Sequence, residues 1–581
     1  MKFVSLLITL FVLLGCSFEP PPWAGTPVAA DLILTNGRIY TLTWPDPLPS
    51  GGLAGSAPHE QGWEPDAQAL AIKDGEIIFV GSHPQAAAWR GEHTRAIDLD
   101  GATVIPGLVD SHTHVFQLGL ALNRVDLFSV DTEAQAVARA VERAKTVPVG
   151  EWIIGQGWDE GAWANHYPDK SLLSEAVPDH PVFMRSLHSF AGWVNQAALD
   201  RLGLSEHSKV SSGGEMRLGA DGKPSGLFLN NAVDLIEAGI PALSSEQLVD
   251  NVLAGLERMA VDGFVGVHDA GLNAAEMAVL EQLEASGRLP IRVYAMLSVR
   301  EEELARQWLQ RGPDQDADSM LVTRSVKAYY DGALGSRGAR LLEDYSDKPG
   351  HRGVSGDDYG FDEELTAQMM QAGFQVGIHA IGDAGNRETL GFFRRVMEEH
   401  PQTAKGRHRI EHAQVIQAAD LTKFGEHRVV ASMQPVHAIE DKAWAEDRLG
   451  RDRMEGAYAW RTLRQMGTML IFGSDNPGSD HSIFYGLHSV VTRKDKAGQP
   501  HFGWYPQQRL NMDEAIRAYT RWPAFASFRE KYTGVIKPGR WADLTVMDID
   551  PFVLSETDPE ALLQGEILMT VVNGKIVHTV H

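Results

Sequence analysis

Thr103-Val-Ile-Pro-Gly-Leu-Val-Asp-Ser-His-Thr-His114 is the stretch on which the reading of this chain turns. Its apolar run reads as a strand, and the strand ends in His112 and His114. Alternate residues of a strand face the same way, so this spacing aims two imidazoles at one point. That is how a metal is gripped from a strand end. A solvated or core histidine pair has the same spacing, so the pair decides nothing alone. The weight comes from the ligands the chain supplies later.

The 581 residues suggest two or three domains. With 43% hydrophobic and 22% charged residues, the composition is that of an ordinary globular protein. Against 77 acidic residues stand 52 basic ones, a formal net charge of -25. Such a surface repels nucleic acid and anionic headgroups, so no polyanionic partner is expected; solubility is the simpler reason for the charge. At the N-terminus Lys2 precedes an apolar run, residues 3–14, too short to span a bilayer. It reads as a signal-peptide core. The run ends Leu13-Leu14-Gly15-Cys16, and Cys16 is the only cysteine. This resembles the lipobox of bacterial lipoproteins, which implies that residues 1–15 are removed and Cys16 is acylated; a plain secretory signal is the alternative. Residues 16–30, proline-rich after Ser17, read as a tether. The expected location is the cell envelope, on the periplasmic face of the outer membrane. A single cysteine rules out an intramolecular disulfide and thiolate ligation elsewhere.

Residues 31–105 read as short strands, with Asn36-Gly37 and Asp74-Gly75 as hairpin turns. The C-terminal residues 535–581 share this style, including the Asn573-Gly574 turn, so both ends are expected to build one sheet domain. Between them, residues 106–534 alternate strands with helices. Strand candidates are 103–109, 264–268, 291–297, 322–330, 374–379, 409–412, 429–434 and 469–473; helical stretches include 274–286, 363–372 and 387–399. Eight strands with intervening helices predict an α/β fold, a (β/α)8 TIM barrel, with a doubly wound sheet as the alternative. The first gap is too long for one helix, so about 120–258 reads as an inserted subdomain carrying Gly157-Trp-Asp-Glu-Gly-Ala-Trp163.

Reactive groups of such a barrel lie at the C-terminal ends of its strands. Those ends supply His112 and His114, Lys327 with Tyr329 and Asp331 on its face, His379, His412 and Asp475. Imidazole and carboxylate suit Zn2+, Fe2+, Mn2+ or Ni2+, with zinc the default.

Several motifs in order carry a resemblance. Pro106-Gly-Leu-Val-Asp-Ser-His-Thr-His114, Val326-Lys-Ala-Tyr-Tyr-Asp-Gly332, Gly377-Ile-His-Ala-Ile-Gly-Asp383, Arg409-Ile-Glu-His-Ala413 and Gly473-Ser-Asp475 resemble the amidohydrolase superfamily, closest to its YtcJ-like branch, which includes N-substituted formamide deformylase. The resemblance implies a composite β-sandwich from both termini and an interrupted barrel. It implies that His112 and His114 bind an inner metal and that His379 and His412 bind a second. Lys327 would bridge the two as an N6-carboxylysine, and Asp475 would ligate metal and serve as general base. One ion on the same histidines is the competing arrangement, and a lysine ion-paired with Asp331 the simpler reading of Lys327.

The expected activity is hydrolysis of a non-peptide carbon–nitrogen bond, most simply an amide in a small molecule. Metal lowers the pKa of water toward 7, and Asp475 would take a proton and pass it to the departing nitrogen. A cyclic amidase, esterase or deaminase using the same site is the alternative, as is an inactive metal-binding lipoprotein. Trp158, His268, Asp331 and Arg337 are candidates for substrate contact, with Trp163, Trp193 and Ser336 beside them. Two positions depart from the family pattern: Phe190, with His188 two residues earlier, replaces a histidine ahead of Val194-Asn195, and Asn230 replaces a glutamate after Pro224-Ser-Gly226. Both put a transferred substrate identity in doubt. The oligomeric state is not set by the sequence, a homodimer being one option.

Overall fold

The structure is a computed structural model that describes residues 28–580 except 129, 159–162, 164–166, 187–190, 211–213 and 355. Cys16, most of the tether, His188 and Phe190 lie outside the described residues. Among the described residues no helix is long and apolar enough to cross a membrane.

The expected barrel is present. Its strands are β1 Leu108–Thr113, β2 Phe264–Leu272, β3 Arg292–Ser298, β4 Leu321–Tyr329, β5 Gln375–Ala380, β6 Arg409–His412, β7 Val430–Met433 and β8 Leu470–Phe472. They pair in sequence order, all parallel. The strands are buried almost throughout, as parallel strands covered on both faces must be. Val326, Ile378, Ile410, Ala431 and Ile471 join the helices around them in one apolar core. The β8–β1 seam is closed just past the strand ends: Asp475 N–H donates to the His112 carbonyl at 2.8 Å, and His114 N–H donates to the Asn476 carbonyl at 3.2 Å.

The stretch read as one strand over 103–109 is two. Thr103–Pro106 belongs to a five-stranded sheet and Leu108–Thr113 to the barrel. Gly107 makes the transfer, because a Cβ there would lie 2.4 Å from Val265 Cγ2. The five-stranded sheet runs Arg38–Ile39, Thr103–Pro106, Leu544–Met547, Ile567–Val572 and Lys575–Thr579, so both termini share it. A four-stranded sheet packs on it through Leu34, Leu70 and Ile72 against Val104, Leu544 and Val571. Asp74-Gly75 and Asn573-Gly574 close hairpins with both residues at positive φ. Asn36-Gly37 does not: Leu32–Thr35 and Arg38–Ile39 enter different sheets. Gly37 N–H donates instead to the Gln68 carbonyl, and its bare Cα makes room for Leu99.

The insertion is a six-stranded sheet spanning residues 125–230. Helix Ser245–Val261, most of which falls in the 120–258 read as insertion, packs Val252, Leu256 and Met259 into the barrel core. It crosses helix Val115–Leu122 so closely that a Cβ on Gly119 would lie 1.7 Å from the Asn251 carbonyl oxygen.

The packing sets expectations for two glycines and one histidine. Gly119→Ala should destabilise by about 1–3 kcal/mol through overpacking. Gly391→Ala, in helix Asp383–Glu399 with nothing near the added methyl, should stabilise by up to about 1 kcal/mol; denaturant melts check both. His408 is buried, accepts the Val376 N–H at Nδ1 and sits with Nε2 against the Thr403 carbonyl. Burial pushes its pKa down from 6.5 to about 4. The unfolded chain therefore takes up a proton that the folded chain refuses, and stability should fall as pH drops from about 6.5 to about 4. In His408→Asn that slope should be shallower by about one proton, read from denaturant melts across the window.

Candidate active site

Six of the strand-end residues named above meet at the C-terminal mouth of the barrel. His112, fully buried at the end of β1, lies with its ring centroid 5.5 Å from His114 and 4.8 Å from His412; His379 on β5 lies 4.5 Å from His412. Lys327, buried on β4, places Nζ 3.1 Å from His112 Nε2. Asp475, after β8, divides its carboxylate between two sides. Oδ1 stands 3.1 Å from His114 Nε2 and 3.6 Å from His112 Nε2; Oδ2 stands 3.9 Å from His412 Nδ1.

A seventh group completes that second side. His437 Nε2 lies 3.7 Å from Asp475 Oδ2, and its ring stacks on His412 at 6.0 Å. Sequence reading missed it because it counted strand ends only. His437 sits in the first turn of helix Pro435–Glu440, beyond the end of β7. The available signal was Gln434-Pro-Val-His437 directly after the seventh strand.

Backbone and second contacts hold these groups in place. His112 Nδ1 is 2.6 Å from Glu411 Oε2, which leaves Nε2 toward the mouth. Arg409 Nε lies 2.8 Å from Glu411 Oε1, an ion pair without hydrogen-bond geometry. His412 Nδ1 meets Gln434 Oε1 at 2.8 Å. Asp110 accepts the His112 and Ser474 N–H groups, tying the end of β1 to the chain after β8. His412, Ala413 and Asp475 all have positive φ, 75°, 43° and 59°. Non-glycine residues are held there only where the surroundings overdetermine them.

Burial pushes the pKa of His112 down to about 4 and that of His379 to about 3, with Lys327 adding to both, so these imidazoles are neutral. His412 is likewise lowered, by burial and by His379. Burial would raise Asp475, but His112, His114 and His412 reverse this and hold it ionised. Glu411 behaves the same way, with Arg409 and His112 overcoming burial. Burial brings Lys327 down to about 8, which makes its free amine accessible near neutral pH.

The donor set fits a divalent metal ion. His112, His379 and His412 are in the neutral form that ligates, a carboxylate stands among them, and the buried Nε2 of His379 has no hydrogen-bond partner. His112, His114 and Asp475 form one group able to hold an ion, and His412, His437 and Asp475 another.

The four candidates for substrate contact each have partners within the fold. Trp158 is buried in the core of the insertion with Trp163 and Trp193, its indole N–H donating to the Met184 carbonyl. His268 lies beneath the site and accepts from Arg409 Nη1 at 2.9 Å. Asp331 is fully buried and accepts backbone N–H groups from Arg340, Ile381 and Gly382. It shapes the loops around His379 and does not pair with Lys327. Arg337 forms a bidentate ion pair with Asp347.

Glu411→Gln removes the charge that orients His112, and it should weaken metal affinity about 10–100-fold, read by chelator competition. Unchanged affinity would remove Glu411 from the site.

Comparison with known proteins agrees with this geometry. The family model for the amidohydrolase family matches residues 95–578. The YtcJ protein of Bacillus subtilis (strain 168) is 32% identical over 519 residues, covering 88% of this chain and 96% of YtcJ. N-substituted formamide deformylase of Arthrobacter pascens is 25% identical over 531 residues, covering 87% and 94%. A solved structure of an uncharacterized metal-dependent hydrolase from Pyrococcus furiosus superposes with a TM-score of 0.69 at 25% identity, covering 90% of this chain and 99% of that one. The chain belongs to the amidohydrolase family.

Proposed function

We propose that this protein hydrolyses a non-peptide carbon–nitrogen bond, an amide of a small molecule, with Asp475 as the proton-transferring residue. The observation that carries this reading is the Asp475 carboxylate, ionised, 22% exposed at the mouth, and set between His112/His114 on one side and His412/His437 on the other. A pure metal cage has no need for a carboxylate open to the mouth. The similarity to N-substituted formamide deformylase supports the amide as the bond broken.

In this reading His112 and His114 hold an inner ion and His379 and His412 a second, with zinc the default and a single ion the simpler case. Such an ion supplies Lewis acidity: it lowers the pKa of water and polarises a carbonyl. Asp475 accepts a proton from the attacking water and returns it to the leaving nitrogen, which cannot depart as an anion. Glu411 keeps His112 oriented. Lys327, with its lowered pKa, is suited to add CO2 as its free amine and lose a proton, forming a carbamate. Acylation of Cys16 would tether the enzyme to the envelope membrane.

Two experiments test these points. A panel of N-acyl amines is offered to the metal-loaded protein, and Asp475→Asn should lower kcat about a hundredfold to ten-thousandfold. Full turnover in that variant, or none of the panel hydrolysed by wild type, overturns the proposal. Cys16→Ser expressed in a bacterial host should move the protein from the membrane to the soluble envelope fraction; retention in the membrane fraction overturns the anchor.

A further inference from the structure

Around the barrel mouth the arginines are paired. Arg337 and Arg448 share Asp347, Arg352 holds Asp344, Arg387 holds Asp420, and Arg340 lies 4.0 Å from Glu388. Arg300, two residues past the end of β3, is different. It is exposed, and among the described residues no carboxylate lies within ion-pair distance of it.

Its guanidinium is nevertheless held. Cζ lies 4.1 Å from the ring centroid of Tyr329 and 4.9 Å from that of Tyr359, and Nη2 donates to the Tyr359 carbonyl at 2.8 Å. The remaining N–H groups of the fork are left for another partner. Tyr329 is fixed in turn. Gly271 leaves its hydroxyl a place that a Cβ would occupy, at 2.3 Å. Tyr329 is two residues beyond Lys327 on β4, so both face the site. Lys327 Nζ stands 5.3 Å from the same ring centroid, and the His379 ring 6.3 Å.

These distances set an upper limit on the gap between Arg300 and Lys327 at the site. The guanidinium can be no farther from Lys327 Nζ than 4.1 Å and 5.3 Å laid end to end. One amino-acid residue of about 3.5 Å, with a hydrogen bond of about 3 Å at each end, is long enough to cross any gap up to that limit. A planar two-donor fork matches a carboxylate, and stacking on a ring leaves its edge free for that contact.

We infer that Arg300, seated on Tyr329 and Tyr359, is a specificity residue that binds a carboxylate on the substrate, making N-acyl amino acids the preferred amides. This deepens the proposed function and takes from it only the position of the scissile bond. The test pairs N-formyl-, N-acetyl- and N-benzoylglycine with their glycinamides, which are close in size and replace the anionic carboxylate by a neutral amide. Wild-type metal-loaded protein should favour the glycinates by about tenfold to a hundredfold in kcat/KM for the acyl group that fits. Arg300→Gln should erase that preference by raising KM for the glycinate, with kcat and the glycinamide little changed; Arg300→Lys should restore part of it. Calorimetric titration of the same pairs reads the preference as a ratio of Kd whether or not turnover occurs, so an inactive protein would sink the amidase reading and still judge Arg300. Equal glycinate and glycinamide binding across all three acyl groups, or an Arg300→Gln variant that loses both members of a pair alike, would overturn the inference.

Discussion

The barrel closes through the backbone of its own reactive residues. The first and last strands are joined past their ends by the Asp475 N–H on the His112 carbonyl and the His114 N–H on the Asn476 carbonyl. Asp110 adds a carboxylate that holds both chains, and Gly473 lets them approach, since a Cβ there would lie 2.5 Å from the His112 nitrogen. Closing the sheet and assembling the site are therefore one event. The left-handed backbone of Asp475 is the strained element of this seam, and the seam's hydrogen bonds hold it.

Below the mouth runs a row of buried charge. Arg409 bridges Glu411 and neutral His268; Glu411 meets His112; His112 faces Lys327 and Asp475. Burial keeps His112 and His268 neutral, while neighbouring charge holds Glu411 and Asp475 ionised against it. Such a row is poor value as stability and strong as specification, since removing one member leaves an uncompensated charge in a low dielectric. It fixes which nitrogen of His112 turns to the mouth.

The strand-end logic that located His112, His114, Lys327, His379, His412 and Asp475 worked because parallel strands place their C-terminal residues on one face. It passed over His437, which a helix carries into the same space one turn beyond its strand. It does not reveal partners that come from far along the chain. Arg337, a candidate for substrate contact, pairs with Asp347 ten residues on. Trp158 reads as a pocket wall until Met184 takes its N–H and Trp163 and Trp193 cover its faces. His268 lies on a reactive strand end yet turns its nitrogen to Arg409, below the site. Asn36-Gly37 looks like a hairpin locally, but the two short strands it joins belong to different sheets.

By itself the sequence determined the alternation of strands and helices, the order of the reactive residues, the pairing of both termini in one β domain, and hence the barrel and its family. Those follow from local periodicity and turn chemistry, which each segment carries alone. The tertiary structure alone decided which charged side chains remain free. It sent Asp331 to backbone amides, Glu411 to His112 and Arg409, and it left Arg300 on its two tyrosines without an acid. A side chain's partner is a matter of distance in space, and between residues hundreds of positions apart, as with His112 and Glu411, no local pattern in the sequence encodes that distance.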